Sequence, residues 1–456
     1  MVRNDPSMAR AAKAAARVVL ANAGVNIPSS SPRTRTSVRG MIHYVAVHAR
    51  FNRHEAGTFW LSRLRKGPGM RFCDSIFGRL LKPISRVQLA ATVSRHDGNA
   101  YDKVFKSWDH LVALVFAQLA GVDSLRSLEA VWNANAHHHY HLGVGKLARA
   151  TLSDANARRP IEIFAETFER LSGLADRTLR REGAQMLRLI DSTPIPLDQL
   201  VTWADWNGRT RGLKLHVVYD PGSDHPRRLA ITPSTVNDVT PAQQVAIEAG
   251  ATYVFDKAYC SYAWWIRLHD AGACFVTRQK KNARFRATRW RPVRKRNGDG
   301  FTIIDDAEVK LVSAGNARLP IPMRRVRLRR DDGAKLTLIT NDLNSTAIEI
   351  GALYKTRWQI ELLFRWIKQH LKLRKFLGRS ENAIRLQILA AMIAYLLLRI
   401  AARESRVVMP AIRFAGLVAA SLFVRKPVTD IDRPPKVNPS AARDRASPDQ
   451  ISFCYA

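Results

Sequence analysis

From about residue 184 the chain breaks into short apolar runs whose order restricts it to one class of fold. Met186-Leu-Arg-Leu-Ile190, Leu213-Lys-Leu-His-Val-Val218 and Arg228-Leu-Ala-Ile231 come first, then Thr252-Tyr-Val-Phe255 and Cys274-Phe-Val-Thr277. Each is short, apolar or alternating, and bounded by turn residues, so each reads as a strand. Thr240 to Ala249 and Tyr262 to Ala271 are helical between the later runs. Three strands followed by strand and helix alternation predict an α/β domain with a mixed sheet.

The flanking segments have other textures. Residues 1–69, with an Ala/Arg-rich start and a polar stretch from Ser29, are expected to be a poorly ordered extension upstream of a functional start at Met70. Residues 70–175 carry helical runs, with Ser107, Ser124 and Ser153 as expected N-caps, and predict a small all-helical domain suited to DNA contacts. The cations of Arg149 to Arg159 surround a predicted turn before a helix. Residues 278–342 alternate again and are strongly basic, predicting a β insertion with Arg and Lys on one face. The core resumes over 343–404, and 405–456 form a C-terminal helix and tail rich in Pro, Arg and Asp.

Within the resumed core, Tyr354 to Lys368 contains no Pro or Gly, and Ile360, Leu363, Phe364 and Ile367 recur at helical spacing. At about 100° per residue, Tyr354, Arg357, Glu361 and Lys368 share an arc of about 60°. One carboxylate therefore sits in a stripe of cations, either as a solvated face with a Glu361–Arg365 pair or as part of a site.

Charge narrows the partners. Lys and Arg number 73 against 38 Asp and Glu, a net charge of +35, spread along the whole length. That surplus favours a polyanion such as nucleic acid. The longest apolar run, Ile388 to Leu398, is 11 residues closed by Arg399, too short to span a bilayer, and reads as a buried helix without a membrane partner. Cys73, Cys260, Cys274 and Cys454 lie far apart without a C-x-x-C pair, which fits a reducing cytoplasm and suggests neither a zinc site nor a disulfide framework. His137 to His141 contains four His, which read as a DNA-touching or aromatic-packing loop rather than a metal site.

Two aspartates, Asp191 and Asp256, each follow a predicted strand, where ligands of open α/β sheets gather. Asp220 follows one too, since Asp is also a common turn residue. If the sheet gathers Asp191, Asp256 and Glu361, three carboxylates need divalent cations as counter-charge. Hard oxygen donors favour two Mg²⁺ ions, with Mn²⁺ as substitute, and phosphodiester cleavage or strand transfer as chemistry. Arg357 and Lys368 would hold DNA phosphates, and Tyr354 would hydrogen-bond a phosphate or stack.

These residues carry a resemblance. Tyr354-x2-Arg357-x3-Glu361-x6-Lys368 resembles the Tyr-Arg-Glu-Lys signature of the DDE transposases of bacterial insertion sequences, in the branch called insertion sequence family four. Ile190-Asp191-Ser-Thr and Phe255-Asp256-Lys-Ala-Tyr259 resemble the blocks that hold the family's two aspartates. The resemblance implies an RNase H-like core over 184–277 and 343–404, interrupted by the β insertion. It also implies recognition of terminal inverted repeats on double-stranded DNA, and cleavage and insertion by a homodimer in a synaptic complex beside the bacterial nucleoid. Two rivals remain at this level: a plain metal-dependent nuclease with an RNase H-like core, and a catalytically silent, transposase-derived DNA-binding protein.

Overall fold

Helices come first along the chain, each started by a local cap. The structure is a computed structural model that describes residues 74–179, 185–198, 201–206, 208, 211–312, 319–370 and 376–433. The expected extension over 1–69, Cys73, Cys454 and most of the C-terminal tail lie outside the described residues. Helix α1 (Ile76–Leu81) is capped by Ser75, whose hydroxyl accepts from the Gly78 amide at 3.1 Å, and α2 (Arg86–Arg95) by Ser85. Helix α3 (Ser107–Ala120) begins at the expected cap itself, because Asp109 reaches back to accept from the Lys106 amide at 3.0 Å and makes Lys106 the cap. It stops at Gly121, whose φ of 69° is a left-handed C-terminal residue. Ser124 does cap α4 (Leu125–Ala134), and a short α5 (His139–Leu142) follows. Helix α6 (Arg149–Arg158) corrects the reading of a turn there. Ser153 lies inside it, and Ala148 precedes it. Helix α7 (Glu162–Leu179) leads into the sheet.

The strands are β1 (Leu187–Pro196), β2 (Gly212–Asp220), β3 (His225–Pro233), β4 (Thr252–Phe255), β5 (Cys274–Arg278), β6 (Phe285–Trp290), β7 (Asn297–Gly298), β8 (Phe301–Leu311), β9 (Met323–Arg330) and β10 (Lys335–Thr340). Helix α8 (Val239–Gln244) precedes β4 and α9 (Tyr262–Asp270) precedes β5. After the sheet come α10 (Ala347–Thr356), α11 (Trp358–His370), α12 (Glu381–Glu404) and α13 (Ala411–Ser421). The sheet order is β3-β2-β1-β4-β5-β10-β9-β8-β6, with β7 beside β8. Strands β1, β2 and β3 are antiparallel neighbours, whereas β1–β4 and β4–β5 are parallel. The chain is therefore of the mixed α/β class. In the basic β segment β10 pairs with β5, so its strands extend the same sheet across an edge that would otherwise leave unpaired backbone groups. Its arginines divide by alternation. Arg327 and Arg329 are exposed, while Arg324 is buried and bidentate on Asp306 at 2.7 and 2.8 Å.

Both faces of the central strands are covered, which is why their sequences are nearly continuous hydrophobic runs. Leu189, Val254 and Val276 belong to the larger core, shared with α10, α11 and α12. Ile190, Phe255 and Phe275 belong to a second core with Trp264 and Trp265 of α9. Helix α12 is the hub of the larger core. Helices α1, α3, α6 and α7, strand β3 and α11 all pack on it. Among the described residues it is also the helix long and apolar enough to cross a bilayer, yet 89% of its most apolar window is buried inside the protein. It is a core helix. The histidine loop packs likewise: His138 stacks on Phe423 at 5.0 Å, and His139 is buried against Trp132.

Inside the helical layer, His110 is fully buried and bonds Asn156 at 2.8 Å, while its Nδ1 has no partner. Burial, helped by the Arg159 charge, pushes its pKa from 6.5 down to about 3. The unfolded chain therefore binds this proton first, so His110 leaves stability intact above about pH 6.5 and lowers it as pH falls toward 3. Between pH 7.5 and 5 the loss from this residue is about 2 kcal/mol. Urea unfolding at the two pH values, with His110→Gln as comparison, is expected to show that share of the slope disappearing in the variant.

Candidate active site

The period of two along β1 and β4 decides where the aspartates point. Leu189 and Val254 face the α10–α12 side, Ile190 and Phe255 face away, and so Asp191 and Asp256 return to the α10–α12 side. The parallel register ends with Ile190 opposite Phe255, so Asp191 and Asp256 each follow the last paired position of β1 and β4. Asp191 is not at a strand end as expected. Strand β1 continues to Pro196 because β2 pairs with it over that length, and only the β4 pairing stops before Asp191.

The facing helix is not one helix. Helix α10 ends at Thr356, Arg357 is a turn residue, and α11 starts at Trp358. The break leaves Tyr354 buried and aimed at the sheet rather than on an exposed stripe. Its hydroxyl donates to Asp256 Oδ1 at 3.4 Å. Arg357 forks between two carboxylates: Nη1 donates to Asp191 Oδ2 at 3.1 Å and Nη2 to Glu361 Oε1 at 2.6 Å. Glu361 thus pairs backward with Arg357 and not with Arg365, whose guanidinium lies over the Trp358 ring at 5.7 Å. Lys368 sits about two turns along α11 from Glu361 and is half-buried.

Burial dominates the electrostatics of the site. Burial, reinforced by the Glu361 and Asp256 charges, pushes the Asp191 carboxyl from 3.8 up to about 6, although the Ser192 amide and Arg357 pull it down. Burial and the Asp256 charge likewise push Tyr354 up to about 12. Among the described residues no three acidic, His or Cys side chains are grouped closely enough to share one ion, since Arg357 stands between Asp191 and Glu361. The donor chemistry still fits a divalent cation. The groups are hard carboxylate oxygens, and burial leaves Asp191 with a raised pKa that a cation beside it would bring down.

Asp220 has a different use: it pairs with the buried Arg188 at 2.9 Å, which Glu248 also holds, and accepts from the Gly222 amide. Sequence reasoning missed Ser192, Lys214 and Asp238, which lie behind Asp191 on the other face of the sheet. Ser192 Oγ donates to Asp238 Oδ1 at 3.0 Å, and Lys214 Nζ donates to the same oxygen at 3.2 Å. Tyr259, within the quoted Asp256 block, is buried beside them.

Comparisons with known proteins give the chain its relatives. A family profile described as "Transposase DDE domain" matches residues 182–397, and one described as "Domain of unknown function (DUF4372)" matches 73–145. A putative transposase, y4zB, of Sinorhizobium fredii is 59% identical over 304 residues, covering 67% of this chain and 85% of that protein. A probable transposase for insertion sequence element IS5377 of Geobacillus stearothermophilus is 28% identical over 266 residues, 56% of this chain and 68% of that one. Among solved structures, the piggyBac transposase synaptic complex with hairpin DNA aligns over 81% of this chain and 84% of its own, with a TM-score of 0.42 at 11% identity.

Proposed function

This chain belongs to the DDE transposases of insertion sequences, and on that premise we propose that Asp191, Asp256 and Glu361 are its catalytic carboxylates. The observation that supports this most is that Asp191 and Asp256 each follow the last paired residues of β1 and β4, turned toward the helix that brings Glu361 and Arg357. The sheet order β3-β2-β1-β4-β5, antiparallel then parallel, supports an RNase H-like core, and the Tyr354, Arg357, Glu361 and Lys368 spacing supports insertion sequence family four.

DDE transposases depend on divalent metal. Asp191, Asp256 and Glu361 would hold two ions, Mg²⁺ or in its place Mn²⁺, which supply activation of the attacking oxygen and stabilisation of the leaving oxygen at phosphorus. The chain's own groups do the rest. The Ser192 amide locks Asp191 Oδ1, and the Tyr354 hydroxyl steadies Asp256. Arg357 balances Asp191 and Glu361 until DNA arrives, then holds phosphate together with Lys368. Exposed Arg286, Arg327 and Arg329 extend a basic track along the β segment for duplex DNA, both element ends and target. Two copies would grip two ends in a synaptic complex, in the bacterial cytoplasm beside the nucleoid.

Incubation of the purified protein with Mg²⁺ and labelled terminal inverted-repeat DNA tests this. Cleavage at the element end and joining of pre-cut ends to a target plasmid are expected. Cleavage without joining points to the nuclease reading, and salt-sensitive binding without either reaction points to the silent DNA-binding reading.

A further inference from the structure

Behind Asp191 lies a hydrogen-bonded cluster that no step above uses. In β1 the side chains alternate, so Ser192 points to the face opposite Asp191, where β2 pairs it with His216. On that face Asp238, the residue before α8, receives the Ser192 hydroxyl at 3.0 Å and the Lys214 ammonium at 3.2 Å. Lys214 also donates to the Val236 carbonyl at 2.8 Å, which ties the ammonium to the Asp238 loop. The Ser192 amide, one bond from Asp191, donates to Asp191 Oδ1 at 2.9 Å.

Tyr259 supplies an independent observation. It is 1% exposed, and its hydroxyl is buried without a hydrogen-bond partner. Burial first, and then the Asp191 charge, raise its pKa, while the Ser192 side chain beside it lowers it. A buried donor left unpaired costs free energy unless the occupied site uses it.

We propose that Asp238 is a positioning residue for the metal site: through Ser192 it fixes the backbone that holds Asp191, and the buried Tyr259 hydroxyl beside Ser192 completes this cluster when the site is loaded. Lys214 neutralises Asp238, so that a further carboxylate behind Asp191 orients it without adding net charge to the site. Outer groups of this kind set ligand orientation, and their loss costs about 10- to 100-fold in metal affinity. The proposal rests on Asp191 being a metal ligand.

The test measures Mn²⁺ binding to the DNA-free full chain by electron paramagnetic resonance, with urea unfolding alongside and the Mg²⁺ dependence of end cleavage as a second readout. Asp238→Ala and Ser192→Ala are each expected to weaken Mn²⁺ binding about tenfold or more, and to raise half-saturating Mg²⁺ in step while the KM for end DNA holds. The double variant should be little worse than either single one, because both remove the same bond. Asp238→Asn keeps an oxygen acceptor for Ser192 and should retain most of the affinity. Tyr259→Phe should weaken Mn²⁺ binding with the urea midpoint kept. Unchanged Mn²⁺ affinity in Ser192→Ala and Asp238→Ala overturns the proposal, as does a loss that tracks the urea midpoint alone. Asp191→Asn separates the underlying reading. If it leaves Mn²⁺ affinity intact, Asp191 is not a ligand and the positioning role falls with it.

Discussion

Asp191→Asn, Asp256→Asn and Glu361→Gln are each expected to lower end cleavage and strand transfer by at least about 10³-fold, with binding to terminal-repeat DNA kept within a few-fold. An amide preserves shape but donates where a carboxylate must accept and carries no charge for a cation. Asp191→Asn has a second expected effect of opposite sign. The Asp191 carboxyl is raised from 3.8 to about 6 in the fold, chiefly by burial, and its side chain is only 18% exposed. A carboxyl raised this way costs stability once it ionises. The cost is absent below about pH 4, grows to pH 6 and is full above it, at roughly 2–3 kcal/mol. The asparagine avoids that cost, so in EDTA the variant should unfold at a higher temperature than the parent chain at pH 7.5 and at an equal one near pH 4. A variant that loses cleavage while gaining metal-free stability marks a group held against its own preference for function. Retained cleavage in any of the three variants breaks the catalytic assignment.

Much of this was legible in the sequence for simple reasons. The strands of the central sheet are buried on both faces, so they stand out as apolar runs, and Asp191 and Asp256 stand out as the first carboxylates to follow them. What failed depended on partners distant in sequence. Asp191 looked like a strand end because the apolar run stops there, but β2 carries the pairing on to Pro196 through Thr193 and Ile195. Nothing in Lys335 to Thr340 announces that the β insertion joins the same sheet through β5. The helices before residue 180 gave no sign of sharing a core with α12, since a helix buried all round shows no distinguishing face. Asp238 is invisible from sequence. It lies 46 residues from Ser192, and only the register of β1 with β2 and the placement of the loop before α8 bring the two together.

Arg357 is the residue whose reading changed most on moving from the helical wheel to the sheet, and its substitution separates two roles. On a continuous helix it belongs to a stripe offered to phosphate. At the break between α10 and α11 it instead spans Asp191 and Glu361, at 3.1 and 2.6 Å, with its guanidinium carbon 5.9 Å from the Tyr354 ring centre. Burial works against its charge, but Tyr354, Glu361 and Asp191 together raise its pKa, so it stays cationic in the DNA-free protein. A cation in that position competes with any metal for the same two carboxylates. Arg357→Ala is therefore expected to bind Mn²⁺ more tightly without DNA, by about tenfold, the effect of one interaction worth about one pKa unit. It should nonetheless cut and join element ends about 10²-fold more slowly, because the phosphate loses a two-pronged donor. Arg357→Lys keeps the charge but not the fork, and a single ammonium reaches one carboxylate at a time. Its metal affinity should fall between the two, while joining stays near the alanine level. The measurement is paired Mn²⁺ titration and strand-transfer kinetics on the three proteins. If Mn²⁺ affinity collapses in Arg357→Ala, the guanidinium supports the carboxylates in their loaded state, and the exchange of Arg357 from carboxylate to phosphate does not take place.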